Sequence, residues 1–269
     1  MIPTIKRAWI LFFVMSLLFL GCSRPRPRIE SLPLPDIRNL KERIEKNRAR
    51  LRDFKGLGLI QVYGPETRAA MGVNVRYLAT DYLQITLRGA MGIEVGTLAL
   101  AEGRYHLSYP GSRIPPSGEI EDIVLPEEFA LPIRGAELVD LFLPFPSEPE
   151  IPSRASVQRD LERQEYLLAW DEDSTYYQLW VDAFKPVITK ELLTSSAGDT
   201  VWYKELGSIK KRSKVFMPSE WNVQIGSGHS AITVKMKLSS LWINSGLAPS
   251  DFDTDGKDDN DTGEDPFGG

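Results

Sequence analysis

The feature that most limits what this chain can become is a period-two alternation, repeated in short runs. "DYLQITLR" places Leu83, Ile85 and Leu87 on one side and Gln84, Thr86 and Arg88 on the other. "RYHLSY" sets Tyr105, Leu107 and Tyr109 against Arg104, His106 and Ser108. "AITVKMKL" sets Ile232, Val234, Met236 and Leu238 against Thr233, Lys235 and Lys237. This period predicts strands with one buried face and one face in water. "LGLIQVY" (57–63) and "EVGTLALA" (94–101) are apolar on both sides and predict strands covered on both faces. "EYLLAWD" and "TYYQLWVD" flank Glu172-Asp173-Ser174, a hairpin turn. Strands so closely spaced, joined by short turns, predict an antiparallel meander.

Two stretches break this texture. Asp36 stands where it caps a helix over "IRNLKERIEKNRARLRDF", with Ile37, Leu40, Ile44 and Leu51 close to one face and an end before Gly56. "LPEEFALPIRGAELVDLFLPFPSEPEIP" is too rich in Pro and Gly for a long strand. It predicts a short helix around Ala136–Leu143, with Leu138, Leu141 and Phe142 as its apolar side. Pro144, Pro146, Pro149 and Pro152 then make an irregular loop. No long internal repeat is present, and residues 36–250 read as one domain. The fold class is mainly β: one large antiparallel sheet with a few helices. A curved sheet with an apolar concave face needs a cover or a ligand.

The ends of the chain are different in kind. "MIPTIKRAWILFFVMSLLFLGC" has a basic start, an apolar run from Ala8 to Leu20, and the chain's single cysteine, Cys22. This is the layout of a secretory signal, residues 1–21, and its apolar run is shorter than the roughly 20 residues a spanning helix needs. The cysteine's position resembles that in a bacterial lipoprotein signal, which implies lipidation at Cys22; Ser23 then implies the outer membrane, periplasmic face. "RPRPRIESLPLPD" (24–36) reads as an extended tether. The tail from Asp251 to Gly269 carries a net charge of about −7 against −5 for the whole chain, and the signal carries Lys6 and Arg7. The body between them is therefore near neutral, which argues against a nucleic-acid binder. Two readings of the tail stand: a solvated, disordered segment, or hard oxygen ligands for Ca²⁺ from Asp253, Asp255, Asp258, Asp259 and Asp261, though not at EF-hand spacing.

Candidate chemistry is sparse. One cysteine and two histidines, His106 and His229, cannot make a Cys/His zinc cluster. His106 falls on the polar side of its strand. "GSGHS" (226–230) brings Ser227 near His229 but lacks the Gly-x-Ser-x-Gly elbow, and reads better as a hairpin turn. No phosphate-binding or dinucleotide loop is present, and no cofactor or metal is implied. "KELGSIKKRSK" gathers five cations, either a solvated hairpin or a face for an anionic partner.

Several pieces occur in a telling order: the lipoprotein-like signal, the proline tether, the opening helix, and a meander with "GAMG" at one turn. They are followed by "LPIRGAELVDLFLPFP" and "MPSEWNVQIGSGHSAITVKMKLSSLWIN". Together, over roughly residues 36–245, they resemble the LolB family of outer-membrane lipoprotein receptors and LolB-like lipoproteins. The resemblance implies a half-open antiparallel β-barrel around an apolar cavity with a helical lid. It implies a non-enzymatic monomer that takes the acyl chains of lipoproteins from a LolA-like periplasmic carrier and delivers them to the outer membrane. On the resemblance, Gly89, Ala90, Met91 and Gly92 form the membrane-insertion turn. Leu83, Ile85, Leu87, Leu138, Leu141, Phe142 and Trp242 are then candidate cavity and lid residues. The residues alone favour a different place for Met91, folded back into the core. A scaffold or sensor lipoprotein on the same fold is the alternative function, and an anchored hydrolase using Ser227 ranks below both.

Overall fold

The computed structural model describes residues 28–79, 82–110, 117–123, 136–146 and 151–252. The signal, Cys22, the first part of the lid stretch, Pro149 and the tail beyond Phe252 lie outside the described residues. The chain divides into two compact units, Met1–Pro33 and Leu34–Gly269. In the first, Ile29–Ser31 forms a single 3-10 turn, closed by the Ser31 hydroxyl donating to the Arg28 carbonyl.

The second unit is built on one antiparallel sheet. In chain order its strands are β1 (Asp53–Tyr63), β2 (Arg68–Leu78), β3 (Tyr82–Arg88), β4 (Glu94–Ala101), β5 (Arg104–Ser108) and β6 (Ser117–Glu119). After the lid stretch come β7 (Ser156–Asp160), β8 (Glu165–Glu172), β9 (Thr175–Asp182), β10 (Ile188–Ser195) and β11 (Thr200–Gly207). A separate two-stranded ribbon, β12 (Lys210–Arg212) with β13 (Val215–Met217), precedes β14 (Glu220–Ile225) and β15 (Ile232–Ile243). The spatial order is β6-β5-β4-β3-β2-β1-β15-β14-β11-β10-β9-β8-β7. The last strand thus joins two meanders by pairing with the first. The sheet has free edges at β6 and β7 and is not closed, and an open twisted sheet of this many strands must curl. The architecture is the expected half-open barrel with a short covering helix.

Alternation predicts the strands well. In β3, Leu83, Ile85 and Leu87 are buried, and in β15 so are Val234, Met236 and Leu238. The β8–β9 turn puts Asp173 and Ser174 at positive φ (45° and 66°), the twist that two-residue hairpins favour. Helix α1 (Ile37–Arg48) starts at Asp36, whose carboxylate accepts the Arg38 N–H at 2.7 Å. Helix α2 (Ala136–Phe142) ends one residue before the expected limit.

The sequence pattern misleads at one junction. Ser240 pairs with Leu57 and Leu238 with Gly58, so Ser239 is an extra residue, a β-bulge. Gly58 allows it: a Cβ there would lie 2.0 Å from the Lys237 carbonyl oxygen. Beyond the bulge the parity of β15 is reversed, so Leu241 and Ile243 point inward and Trp242 points outward, 49% exposed. On β1, Leu57 and Leu59 are each 43% exposed, so this strand is covered on its inner face alone.

Candidate functional site

The lid comes first, because it closes the concave face. Seven residues do not hold a helix in water by themselves. Leu138, Leu141 and Phe142 of α2 are buried in the same core as Leu83, Ile85 and Leu87, with Leu98, Leu107, Val223 and Val234. The helix end is pinned from the sheet. The Trp221 indole donates to the Leu141 carbonyl at 2.8 Å. The Lys204 ammonium donates to the carbonyls of Asp140, Leu143 and Phe145, at 2.5, 2.8 and 3.1 Å. All three of its donors are thereby used, at the helix end where a cation suits the backbone dipole.

Lys204 is wholly buried and faces Glu191 across the β10–β11 pair. Glu191 is also buried and accepts the Trp202 indole N–H at 3.1 Å. Burial pushes the Glu191 carboxyl up to about 7, against the pull of the Lys204 charge and the Trp202 hydrogen bond, with Asp140 adding to the rise. Burial brings Lys204 down to about 8, against the charges of Glu191 and Asp140. A titratable pair therefore sits directly behind the lid. No periodicity marks it, because Lys204 occupies an inward position that the pattern reserves for an apolar side chain.

A pocket of about 400 Å³ opens beside this pin. Its walls are α1 (Ile44 and Leu51 just beyond it), the post-lid turn Pro144-Phe145-Pro146, Val187 and Ile188 before and at the start of β10, and Val215, Phe216 and Met217 of the ribbon. Lys41, Glu45 and Arg48 are its charged residues. The volume is at the lower end of ligand pockets, about 300–1,000 Å³. The roof is fixed by a backbone-like clasp. The Asn47 side chain donates to the Phe216 carbonyl at 3.0 Å and accepts the Phe216 N–H at 2.9 Å. The Arg48 guanidinium lies 4.8 Å from the centre of the Phe145 ring.

The candidate cavity residues lie elsewhere. None of Leu83, Ile85, Leu87, Leu138, Leu141 and Phe142 lines this pocket, and each is at most 3% exposed in a filled core. Trp242 is on the opposite face of the sheet, turned there by the bulge. Ile44 was legible as part of a helix's apolar face, but its place in a pocket with Phe216 and Met217 was not, because the pocket is assembled from segments far apart in sequence.

The "GAMG" turn is the second element. Gly89, Ala90, Met91 and Gly92 form a 3-10 turn between β3 and β4. Met91 is 94% exposed with φ 57° and ψ 21°, left-handed for a residue with a side chain, and Gly92 has φ 76°. Ile93 next to it is 62% exposed. The methionine does not fold back into the core, as the residues alone would have it. Strand directions place this tip at one end of the sheet, with the turns 173–174 and 226–231, and the pocket at the other end.

Several other polar groups pair with one another. Ser227 donates to Asp199 at 3.3 Å, and His229 is exposed. On the outer face Arg163 bridges Glu165 and Glu205 at 2.9 and 2.8 Å, and Asp160 accepts the Trp180 indole at 3.0 Å. Among the described residues no group of three His, Cys, Asp or Glu side chains is placed to hold a metal. No helix of the described residues is long and apolar enough to cross a membrane.

No protein-family model and no curated protein matches the sequence. Solved structures do match the fold. A DUF1329 family protein from Desulfovibrio piger superposes with a TM-score of 0.60 at 7% identity, over 81% of this chain and 98% of the other. A domain named as an outer membrane lipoprotein-sorting protein, from Vibrio parahaemolyticus, gives 0.57 at 11% identity, over 80% and 97%. A LolA superfamily protein from Nitrosomonas europaea gives 0.53 at 12% identity, over 82% and 99%. At such identities the likeness is one of fold: the chain shares a large, unclosed antiparallel sheet with these proteins.

Proposed function

We propose that this protein is a lipid-anchored, non-enzymatic receptor of the LolB kind. It takes an acyl chain of a lipoprotein from a LolA-like carrier and delivers it to the outer membrane. The observation that carries the reading is the apolar pocket beneath α1, large enough for an acyl chain and rimmed by Lys41, Glu45 and Arg48. Each methylene moved from water into such a pocket contributes ~0.8 kcal/mol. The exposed Met91–Ile93 tip supports the delivery step. Two such side chains entering a bilayer contribute roughly 3 kcal/mol together, enough for transient docking and too little for anchoring. Firm attachment then falls to acyl chains on Cys22. The lipoprotein-sorting name of one structural neighbour points the same way.

The test is photochemical. A triacylated lipoprotein with a photoreactive group near the end of one acyl chain is presented on its carrier. The proposal expects crosslinks to Ile44, Phe216 or Met217. Crosslinks confined to the sheet's outer face, or none from an active carrier, contradict it. One observation favours the scaffold or sensor alternative: the centre of the barrel is filled by Leu83, Ile85, Leu87, Leu138, Leu141 and Phe142. That reading expects a stable protein complex and no acyl crosslink.

A further inference from the structure

A helix and a ribbon at the pocket end carry a charge that the rest of the chain does not. Residues 36–53 and 208–219 hold eleven Lys and Arg against four Asp and Glu, a net of +7 in a chain whose net charge is −5. Two of the four acids are committed. Asp36 caps α1, and the buried Asp53 carboxylate accepts from the Ser245 N–H and hydroxyl and the Gly246 N–H. The other two lie on α1 at compensating spacing: Glu42 is four residues from Arg38 and Lys46, and Glu45 four from Lys41.

Arg43, Arg50, Lys211 and Lys214 stand outside this balance, and all four are exposed. Arg43 lies one turn before Asn47 on the same side of α1. Asn47 is the residue whose side chain clasps Phe216 of the ribbon in both directions. The ribbon turns at Ser213 and Lys214, both at positive φ (45° and 68°), and the Lys214 carbonyl accepts from the Arg50 guanidinium at 3.5 Å. The Lys211 ammonium is 5.5 Å from the centre of the Phe216 ring. Helix and ribbon therefore hold their cations along one seam, on the roof of the pocket. Among the described residues, no carboxylate makes an ion pair with any of the four.

We propose that this seam is a docking surface for an acidic segment of a partner protein, whose carboxylates meet Arg43, Arg50, Lys211 and Lys214. From Arg43 to Arg50 the seam runs about 10 Å, the length of roughly three residues of extended chain. Such a cluster attracts its partner from a distance and sets its orientation. The chemistry favours a protein over a lipid surface. A helix that lies on a membrane pairs its cations with apolar side chains that enter the bilayer. Here α1 turns Leu40 and Ile44 towards the body, and none of the exposed large apolar side chains of the described residues belongs to α1 or the ribbon. The proposal does not rest on what the pocket holds.

The probe is a short, fluorescently labelled poly-glutamate peptide, and its binding to the full chain is followed by anisotropy at physiological salt. One triple variant carries Arg43→Gln, Lys211→Gln and Lys214→Gln. A second carries Lys55→Gln, Arg68→Gln and Lys235→Gln, which remove the same charge from the outer face of β1, β2 and β15. Both should keep the wild-type melting temperature. The seam variant is expected to weaken binding roughly tenfold, and the sheet variant by less than about twofold. Carbodiimide should couple the peptide to Lys211 or Lys214. Binding should vanish at 1 M salt, where the Debye length falls to about 3 Å. Equal weakening by the two variants, or coupling confined to other lysines, overturns the proposal, because net charge alone then explains the attraction. Absence of peptide binding overturns it as well. Phosphatidylglycerol vesicles held through the same three cations, with no peptide bound, would assign the seam to a membrane instead.

Discussion

At the scale of single residues, Met91 bears most of the functional argument. A left-handed backbone costs an L-residue roughly 1–2 kcal/mol. Here the cost is borne by a side chain with 94% of its surface in solvent. The conformation closes the turn, with Gly89 N–H donating to the Ile93 carbonyl and Ile93 N–H to the Ala90 carbonyl, and leaves the side chain in solvent. Met91→Gly is expected to leave the melting temperature unchanged or slightly higher, since relief of strain offsets glycine's entropy. The same variant, and Met91→Glu more strongly, should bind vesicles less. A fall in stability of more than about 1 kcal/mol in Met91→Gly would place the side chain in the core and contradict this account. The turn was legible as a turn from its glycines. Exposure of its methionine was not, because turn residues alone do not reveal what a side chain has to pack against.

At the scale of elements, the lid behaves as a part held from behind. Helix α2 is too short to persist alone, and Lys204 and Trp221 bind its terminal carbonyls. The Glu191–Lys204 pair makes that hold depend on pH. Glu191 is raised from 4.5 to about 7 in the folded state, so between these values the folded protein keeps a proton that the unfolded chain has lost. Its contribution to stability is complete below about 4.5 and is lost as pH rises through 7. Lys204, lowered from 10.5 to about 8, has the opposite slope: folded protein binds fewer protons, and stability returns as pH rises above 8. The pair's contribution to stability is therefore lowest between about 7 and 8. From pH 5 to 7.5 the wild type should lose stability on the order of 1–3 kcal/mol relative to Glu191→Gln, measured by urea unfolding. Parallel curves for the two proteins would mean that the pair does not titrate as described.

The element scale also separates what the sequence shows from what it hides. Leu83, Ile85 and Leu87, or Val234, Met236 and Leu238, reveal their burial by alternation, because each side of a strand meets one environment. The same rule extended past Leu238 sends Trp242 inward, and the structure sends it outward. A bulge of one residue at Ser239 inverts every later position, and its signal is a glycine, Gly58, on the neighbouring strand. The lid helix was legible from Leu138, Leu141 and Phe142. Its anchor was not, since a buried lysine becomes intelligible only once three carbonyls surround it.

At the scale of the whole molecule, the described residues pack the concave side of the sheet with core side chains and place a pocket at one end and an apolar tip at the other. The resemblance to LolB-like proteins implied the unclosed antiparallel sheet; its candidate cavity residues Leu83, Ile85, Leu87, Leu138, Leu141 and Phe142 are buried in one core cluster. On the proposed receptor reading, a body seated on a membrane by Met91 and Ile93 turns the α1 pocket away from that membrane, towards the donor. Uptake and delivery are then separable: one belongs to the pocket end, the other to the tip.

That separation is tested most directly by following a labelled lipoprotein from its carrier to this protein and on to liposomes, with Ile44→Trp and Met91→Glu alongside the wild type. The account predicts that Ile44→Trp, which fills the pocket, reduces uptake from the carrier at least tenfold. Met91→Glu should accept the lipoprotein normally but fail to pass it to liposomes. Normal uptake by a folded Ile44→Trp, or no uptake by the wild type from an active carrier, would contradict the account and leave the scaffold reading in its place.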